Sequence, residues 1–224
     1  MNILAIDTSS SMISVALRYQ GQIFEYAISA GFRHAQLLLP GIDYLFHSTG
    51  VPRESLDLIA CASGPGSFTG LRIGMASARG ISLAQDIPLI LLPSLPLYAQ
   101  GLHAHRVLCV LDARKGRFYV AMANEHGEMI SDEYDADLPC ILGLLDKEKS
   151  VCDILLSGPG APLLFEQLED KKGIILDAYA LRPRAAMMIA ASEKKYREEG
   201  ACADKAGPHY LRESDAVRNQ AYSS

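Results

Sequence analysis

The 224-residue sequence has no uninterrupted run of about eighteen apolar residues, so it offers no segment suited to cross a membrane as a helix. Its first residues, MNILAIDTSS, also lack the basic stretch followed by a long apolar stretch that marks a secretory signal. They are instead typical of a buried strand that ends in a polar turn. From these two absences we expect a cytoplasmic protein without a membrane partner.

Cysteines and basic residues are present, but not in patterns that would carry chemistry. The five cysteines form no C-x-x-C pair, and Cys61 and Cys109 lie in apolar runs, where a thiol is usually a small core residue. Free thiols of this kind fit a reducing compartment. The formal net charge of -5 argues against strong nucleic-acid binding by this chain alone, because neutralising phosphates requires clustered lysine and arginine.

The motifs of peptidases are also missing from the sequence. No H-E-x-x-H zinc motif occurs, and the serine of GPGSFTG follows the second glycine, so this segment is not a G-x-S-x-G nucleophile elbow. The histidines are scattered, and His103 and His105 would point to opposite sides of an extended chain. The sequence therefore predicts neither a resident metal ion nor a peptidase activity.

What the sequence does contain is a repeated pattern of strands and turns. In each half, an apolar strand ends at an aspartate, a polar turn follows, and a second strand returns. The two aspartates, Asp7 and Asp112, are 105 positions apart. Val15 and Val120 in the returning strands are separated by the same distance. These matches indicate an internal duplication of one α/β unit.

The tetrapeptide SGPG supports the duplication, because it follows an apolar strand in both halves, at 63–66 and at 157–160. Two matching segments in the same order are harder to attribute to chance than one. We therefore expect two lobes, residues 1–101 and residues 102–207. A last helix at about 208–224 could pack back on the first lobe.

Two strand–hairpin–helix lobes related by duplication predict the actin-like ATPase (ASKHA) fold, which belongs to the α/β class. In that fold, one hairpin of each lobe points its turn at the nucleotide phosphates in the cleft between the lobes. The turns here carry hydroxyls and carboxylates but few phosphate donors. We therefore predict a vestigial nucleotide or phosphate cleft formed by Asp7, Thr8, Ser9, Ser10, Asp112 and Lys115.

The segment SGPGSFTG has two possible roles beside this cleft. It could present backbone N–H groups to an anion at a helix N-terminus, although Pro65 lacks a donor and Phe68 makes the mouth bulky. Alternatively, Gly64 and Gly66 serve only the backbone angles of a strand-to-helix turn. We favour the second interpretation over tight ATP binding and leave weak nucleotide contact open.

The segments ILAIDTS, GPGSFTGLRIG and DARKGRFYVA, with YLR near the end, resemble the TsaB (YeaZ) family from Met1 to about Val217. The resemblance implies a non-catalytic paralogue of TsaD. Such a subunit helps to transfer the threonylcarbamoyl group from threonylcarbamoyl-AMP to N6 of the adenosine next to the tRNA anticodon, giving t6A.

The resemblance also implies the partners of the chain. They are a TsaD-like paralogue in a heterodimer, a small TsaE-like ATPase, and a second copy of the chain when it is alone. It implies that tRNA is reached only through the complex. No cofactor is expected for the chain on its own, while ATP and Mg²⁺ are left to the complex with its partners.

One segment departs from the catalytic paralogue at the metal site. According to the resemblance, that enzyme carries a His-x-x-x-His pair on a short helix after the strand that corresponds to IPLILL. Here the segment is PSLPLYAQ, with Ser94 and Tyr98 at those positions, and neither is by itself a competent ligand for a divalent transition metal. This supports a scaffold that is not an enzyme on its own. The alternative is a free-standing ATPase or kinase of the same fold that uses the interlobe cleft.

The helix predicted in FRHAQLLLPGIDYLFHSTG has more apolar surface than one core contact requires. Leu38, Ile42 and Leu45 form a core stripe, and further apolar residues flank it on both sides. Surplus apolar surface is typical of a partner interface. On the next helix, we expect Arg72 and Arg79 to lie opposite a face of small residues and to face solvent or a partner. The predicted partner-binding residues are Leu37, Leu39, Tyr44, Arg72, Met75 and Arg79.

Overall fold

Two five-stranded sheets, each covered by helices, organise the computed structural model, which describes residues 1–203 and 206–212. The strands of the first sheet are β1 (Ile3–Asp7), β2 (Met12–Tyr19), β3 (Gln22–Ser29), β4 (Leu58–Gly64) and β5 (Leu89–Pro93). Those of the second are β6 (Arg106–Arg114), β7 (Arg117–Ala123), β8 (Tyr134–Asp137), β9 (Ile154–Ser157) and β10 (Ile174–Leu176). The α-helices in the described residues are α1 (His34–Thr49), α2 (Phe68–Gln85), α3 (Leu138–Glu148), α4 (Ala161–Gln167) and α5 (Ala185–Glu199).

The two sheets have the same strand topology. The first has the order β3-β2-β1-β4-β5, and the second has the order β8-β7-β6-β9-β10. In each sheet the central strand, β1 or β6, is antiparallel to the hairpin strand on one side and parallel to the strand on the other. The predicted α/β class and the internal duplication are therefore confirmed, and the topology is that expected of the actin-like fold.

The pairing registers show which residues of the two lobes correspond. Val15 on β2 and Val120 on β7 both face the helix-covered cores of their lobes. The strand partner of Val15 is Ile6, and the strand partner of Val120 is Val110. Ile6 and Val110 are therefore structural counterparts, and they are one position closer together in sequence than the two valines are.

It follows that Asp7 and Asp112 are not equivalent, and the predicted match between them is wrong. The counterpart of Asp7 is Leu111, so Asp112 lies one residue further along the chain. The register of the second hairpin shifts between Asp112 and Arg114, which accommodates the additional residue as a β-bulge. The two aspartates consequently have different surroundings, as described below.

The helices bury both faces of the first sheet, which explains why β1 is buried along its whole length. On one face, α1 and α2 cover a core that contains Leu38, Ile42 and Leu45, so the core stripe predicted for α1 is confirmed. On the second sheet, α3 and α4 cover the corresponding face. Cys61 and Cys109 are both fully buried, as expected of small core residues.

Helix α5 corrects the expected lobe boundary. It lies within the range 102–207 that was assigned to the second lobe, but its residues Met188 and Ile189 pack against Ile3 and Ala5 of the first sheet. The physical reason is that this face of the first sheet is apolar and requires a covering layer. The change between sheets after β5 fits the expected boundary near residue 101, but α5 belongs in space to the first lobe.

The segment 206–212 runs across both lobes without forming a helix. The backbone N–H of His209 donates to the Ser63 carbonyl oxygen at 2.7 Å in the first lobe. The Arg212 guanidinium donates to the Ala113 carbonyl oxygen at 2.8 Å in the second lobe. The helix expected at about 208–224 is therefore wrong for residues 208–212, and the remainder lies outside the described residues. No helix of the described part is long and apolar enough to span a bilayer.

Candidate functional site: the interlobe cleft and the outer face of helix α1

A cleft with a volume of about 380 Å³ lies where the two lobes meet. Three turns contribute most of its wall: residues 9–11 after β1, residues 66–69 at the start of α2, and residues 111–115 around the end of β6. Pro159 and Arg212 contribute to the same wall. The duplicated topology thus brings the first turn of each lobe to one place, as the sequence predicted.

Four of the six residues predicted for the vestigial cleft line it, namely Ser9, Ser10, Asp112 and Lys115. Thr8 is fully buried and does not line the cleft. Asp7 is also buried and lines a different cavity. Its carboxylate accepts the backbone N–H of Ser9 at 2.9 Å, and burial raises its pKa, with the nearby Ser9 and Arg184 opposing that rise.

The N-terminus of α2 packs against the turn that follows β1. The backbone N–H of Ser67 donates to the Ser9 carbonyl oxygen at 2.7 Å. The Thr8 hydroxyl donates to the Gly70 carbonyl oxygen at 2.8 Å. The Ser67 side chain accepts the Gly70 N–H at 3.2 Å and caps the helix. Two of the N–H donors at this helix N-terminus, those of Ser67 and Gly70, are therefore already bound within the chain, which supports the turn interpretation of SGPGSFTG.

The glycines of this block permit the contact between α2 and the first turn. A Cβ added at Gly66 would collide with the Ser9 carbonyl oxygen, one at Gly70 with the Thr8 carbonyl oxygen, and one at Gly74 with the Thr8 hydroxyl. The small-residue face of α2 thus packs closely on the chain's own backbone.

The second hairpin turn presents a carboxylate that is already paired. Lys115 and Gly116 occupy the tip with φ values of 57° and 71°, and glycine suits that region of backbone angles. The Asp112 carboxylate accepts the backbone N–H of Arg114 at 2.7 Å and lies 3.2 Å from its guanidinium. Asp112 therefore reaches the cleft as part of an ion pair.

The two hydroxyl residues at the positions where the resemblance places the paralogue's metal-binding histidines are buried. Ser94 is fully buried and Tyr98 is 2% exposed. Burial raises the pKa of Tyr98, so its phenol remains protonated at neutral pH and is a poor metal ligand. Among the described residues, no cluster of three or more His, Cys, Asp or Glu side chains could hold a metal ion.

The outer face of α1 carries two large exposed apolar side chains among polar ones. Leu39 and Tyr44 are 52% and 60% exposed, and at 100° per residue they flank the exposed Pro40. The exposed Gln36, Asp43 and His47 lie between them on the same face. Leu37 is half-buried and packs against the core. Met75 must be corrected, because it is 4% exposed and packs in the same core, so it cannot contact a partner. The remaining interface residues stay a prediction.

The arginine face of α2 is covered in part by residues 206–212, which corrects the expectation that it is free. The Arg72 guanidinium lies 3.8 Å from the centroid of the Phe68 ring and donates to the Tyr210 hydroxyl at 3.0 Å. Arg79 donates to the Ala206 carbonyl oxygen. This contact joins residues more than a hundred positions apart, so periodicity within the helix could not indicate it.

Arg184, which is 1% exposed, was not predicted as a functional residue from the sequence. An arginine that follows Pro183 and lies two residues after Arg182 carries no periodic signal. Arg184 directly precedes α5, and its burial depends on the packing of that helix on the first sheet.

Two duplicated sheets with a turn of each lobe in the shared cleft define a protein of the actin-like ATPase fold class. A family model described as TsaD, tRNA N6-adenosine threonylcarbamoyltransferase, matches residues 27–220. The chain is 31% identical to TsaB of Escherichia coli K12 and 32% identical to TsaB of Bacillus subtilis 168. Each comparison covers 96% of this chain and 96% of the relative. The chain belongs to the TsaB (YeaZ) family.

The solved structures agree with this assignment. A Pseudomonas aeruginosa protein described as similar to peptidase YEAZ superposes with a TM-score of 0.80 at 28% identity, covering 94% of this chain and 99% of that one. The similarity includes both lobes, so the fold and the family rest on nearly the full length of the chain.

Proposed function

We propose that the chain is a non-catalytic subunit that supports a TsaD-like enzyme in t6A synthesis. Its relatives in E. coli and B. subtilis are named tRNA threonylcarbamoyladenosine biosynthesis proteins. The observation that carries the scaffold role is the pair of large apolar side chains exposed on α1, Leu39 and Tyr44, on either side of Pro40. Large apolar side chains that are this exposed are suited to be buried against a partner, with the polar side chains between them at its rim.

Two features of the cleft support a role without catalysis. The buried hydroxyls of Ser94 and Tyr98 stand where the resemblance places two histidines in the catalytic paralogue. In addition, the start of α2 holds the chain's own first turn through Ser67 and Ser9. The start of α2 is therefore bound to the chain's own backbone and not open to a nucleotide phosphate.

The partner that fits the α1 face best is a protein with a matching apolar helix. A TsaD-like paralogue of the same fold and a second copy of this chain both meet that description, so we expect them to compete for the surface. The TsaE-like ATPase and tRNA would join through the complex, because the net charge of -5 gives this chain little attraction for phosphates.

Reconstitution tests the proposal directly. A mixture of the TsaD-like paralogue, the TsaE-like ATPase, tRNA and a source of threonylcarbamoyl-AMP should form t6A only when this chain is added. Ser94→Ala and Tyr98→Phe should support the reaction to within about threefold of the unmodified chain, since neither side chain acts on the substrate. Formation of t6A without the chain, or by the chain alone, would contradict the scaffold role. Loss of activity in either variant with the complex intact would show a function at the former metal position.

A titration with ATP and Mg²⁺ separates the scaffold from the alternative of a free-standing ATPase or kinase. We expect no saturable binding by the isolated chain in the low micromolar range and no turnover, because the Ser67 N–H is bound to Ser9 and Asp112 is paired with Arg114. Isothermal titration calorimetry and a phosphate-release assay measure the two quantities. Low micromolar binding with turnover would favour the enzyme.

A further inference from the structure

A second cavity, separate from the helix surfaces discussed above, contains a buried arginine. Its volume is about 240 Å³, and it shares Ser10, Ser11 and Pro159 with the wall of the interlobe cleft. Arg184 lines this cavity and is 1% exposed. Arg182, two residues earlier, lines it too.

The guanidinium of Arg184 is poorly satisfied by the protein. Its one hydrogen bond to a described residue, from Nη2 to the Ser157 hydroxyl, is long at 3.4 Å. Its Nε and Nη1 atoms are buried and have no hydrogen-bond partner within residues 1–203 and 206–212. The Tyr98 ring lies 4.9 Å from the guanidinium carbon and supports only its face. Burying a guanidinium whose N–H donors have no acceptors lowers the free energy of unfolding, because the charge is removed from water without compensation.

Arg182 has the same deficiency. Its Nη2 donates to the Gln100 carbonyl oxygen at 3.3 Å, but its buried Nε atom has no partner in the described part of the chain. The two guanidinium groups repel each other, and burial together with Arg182 lowers the pKa of Arg184 to about 10. The cavity therefore contains two cationic side chains with unused donors.

The acidic groups near the cavity do not satisfy those donors. Asp7 lines the cavity, but burial raises its pKa and so favours its neutral form. Asp177 accepts the Ser157 hydroxyl at 2.8 Å and the Tyr179 N–H at 2.9 Å, so it acts on Arg184 only through Ser157 or at a distance.

We propose that this cavity binds a small oxyanion, a carboxylate or a phosphate, held by Arg184 with help from Arg182. A planar guanidinium binds both groups through paired N–H donors. The serines at positions 10, 11 and 29 add hydroxyls to the wall, and Met12, Leu181 and Pro183 supply apolar surface. The cavity volume limits the ligand to a small molecule. The site is independent of the scaffold role and requires no partner protein.

Calorimetric titration of the full-length chain with sodium phosphate and with sodium acetate, at constant ionic strength set with sodium chloride, tests the proposal. We expect saturable one-to-one binding of at least one anion. Arg184→Met should weaken it by about tenfold or more, and Arg182→Met by a smaller factor. Arg197→Met is the matched control, because Arg197 pairs with Glu193 on the exposed part of α5 and should leave binding unchanged.

The two anions distinguish the sources of the ligand. Binding of acetate alone assigns a carboxylate, binding of phosphate alone assigns a phosphate, and binding of both supports a general oxyanion site. Absence of saturable binding for both anions overturns the proposal. Unchanged binding by a folded Arg184→Met variant does so as well.

A measurement on the unmodified chain covers the case in which Arg184→Met does not fold. In a ¹H–¹⁵N spectrum, the buried Nε–H groups of Arg182 and Arg184 should give side-chain signals protected from exchange with water. At least one such signal should shift and saturate during the same titrations. If every protected Nε–H signal stays in place, the anions do not bind at these arginines and the proposal fails.

Discussion

The Tyr44→Asp variant is expected to remain folded but to lose association with itself and with the TsaD-like paralogue. Tyr44 is 60% exposed, and its ring contacts Tyr26 at a centroid distance of 5.4 Å. Losing that ring contact costs about 1 kcal/mol of unfolding free energy. For a chain of this size, that lowers Tm by about 2–4 °C. A charge placed in an apolar interface would prevent its burial in the complex. Light scattering and a melting curve measure both effects.

Three further variants make this test specific. Leu39→Asp changes the other edge of the α1 face and should act in the same way as Tyr44→Asp. Leu38→Asp changes the fully buried neighbour and should unfold the lobe, at a cost of more than about 4 kcal/mol, because it buries an unpaired charge. Leu163→Asp changes a 42% exposed leucine on α4 of the second lobe and should alter neither association nor folding. If Leu39→Asp and Tyr44→Asp associate normally, the interface lies elsewhere.

The Gly70→Ala variant is expected to lose about 3 kcal/mol of unfolding free energy, with a decrease in Tm of about 6–12 °C. Helix propensity alone predicts the opposite sign, since alanine stabilises a helix interior relative to glycine by about 1 kcal/mol. The loss arises because the new methyl group would collide with the Thr8 carbonyl oxygen, which belongs to the backbone and cannot rotate away. Chemical denaturation and a thermal scan measure the change.

Gly80 provides the matched control on the same helix. It lies in α2, and a Cβ at this position would have no atom within 4 Å. Gly80→Ala should therefore raise the unfolding free energy by about 0.5–1 kcal/mol. The opposite signs at the two positions would show that Gly70 is needed for contact with the first turn. Equal stabilisation by both substitutions would contradict the close packing between α2 and that turn.

Much of the fold could be predicted from the sequence because it depends on local periodicity and on a repeat. The apolar runs of β1 and β2, the aspartate and polar turn after β1, and the repeated SGPG were sufficient to predict two similar lobes. The spacing of Leu38, Ile42 and Leu45 was sufficient to identify the buried stripe of α1. Each of these signals lies within one element or recurs at a constant distance along the chain.

The sequence-based predictions that were wrong concern residues whose surroundings are formed by segments distant in the sequence. A single additional residue at the bulge near Asp112 separated the two aspartates that the sequence had matched. The burial of Met75 depends on how α2 lies against α1, and the coverage of Arg72 depends on Tyr210. The burial of Arg184 depends on the packing of α5 on the first sheet. None of these relations leaves a regular pattern in the neighbouring residues.

The position of α5 has a consequence for the order in which the chain can complete its structure. The first sheet is fully encoded by residue 93, but one of its faces remains uncovered until residues 185–199 are available. That face includes Ile3, Ala5 and Ile90, all of which are buried in the finished protein. A fragment that ends between the lobes would therefore expose a broad apolar surface to water. The two halves share an ancestral plan, yet the first depends on the end of the second to become a stable unit.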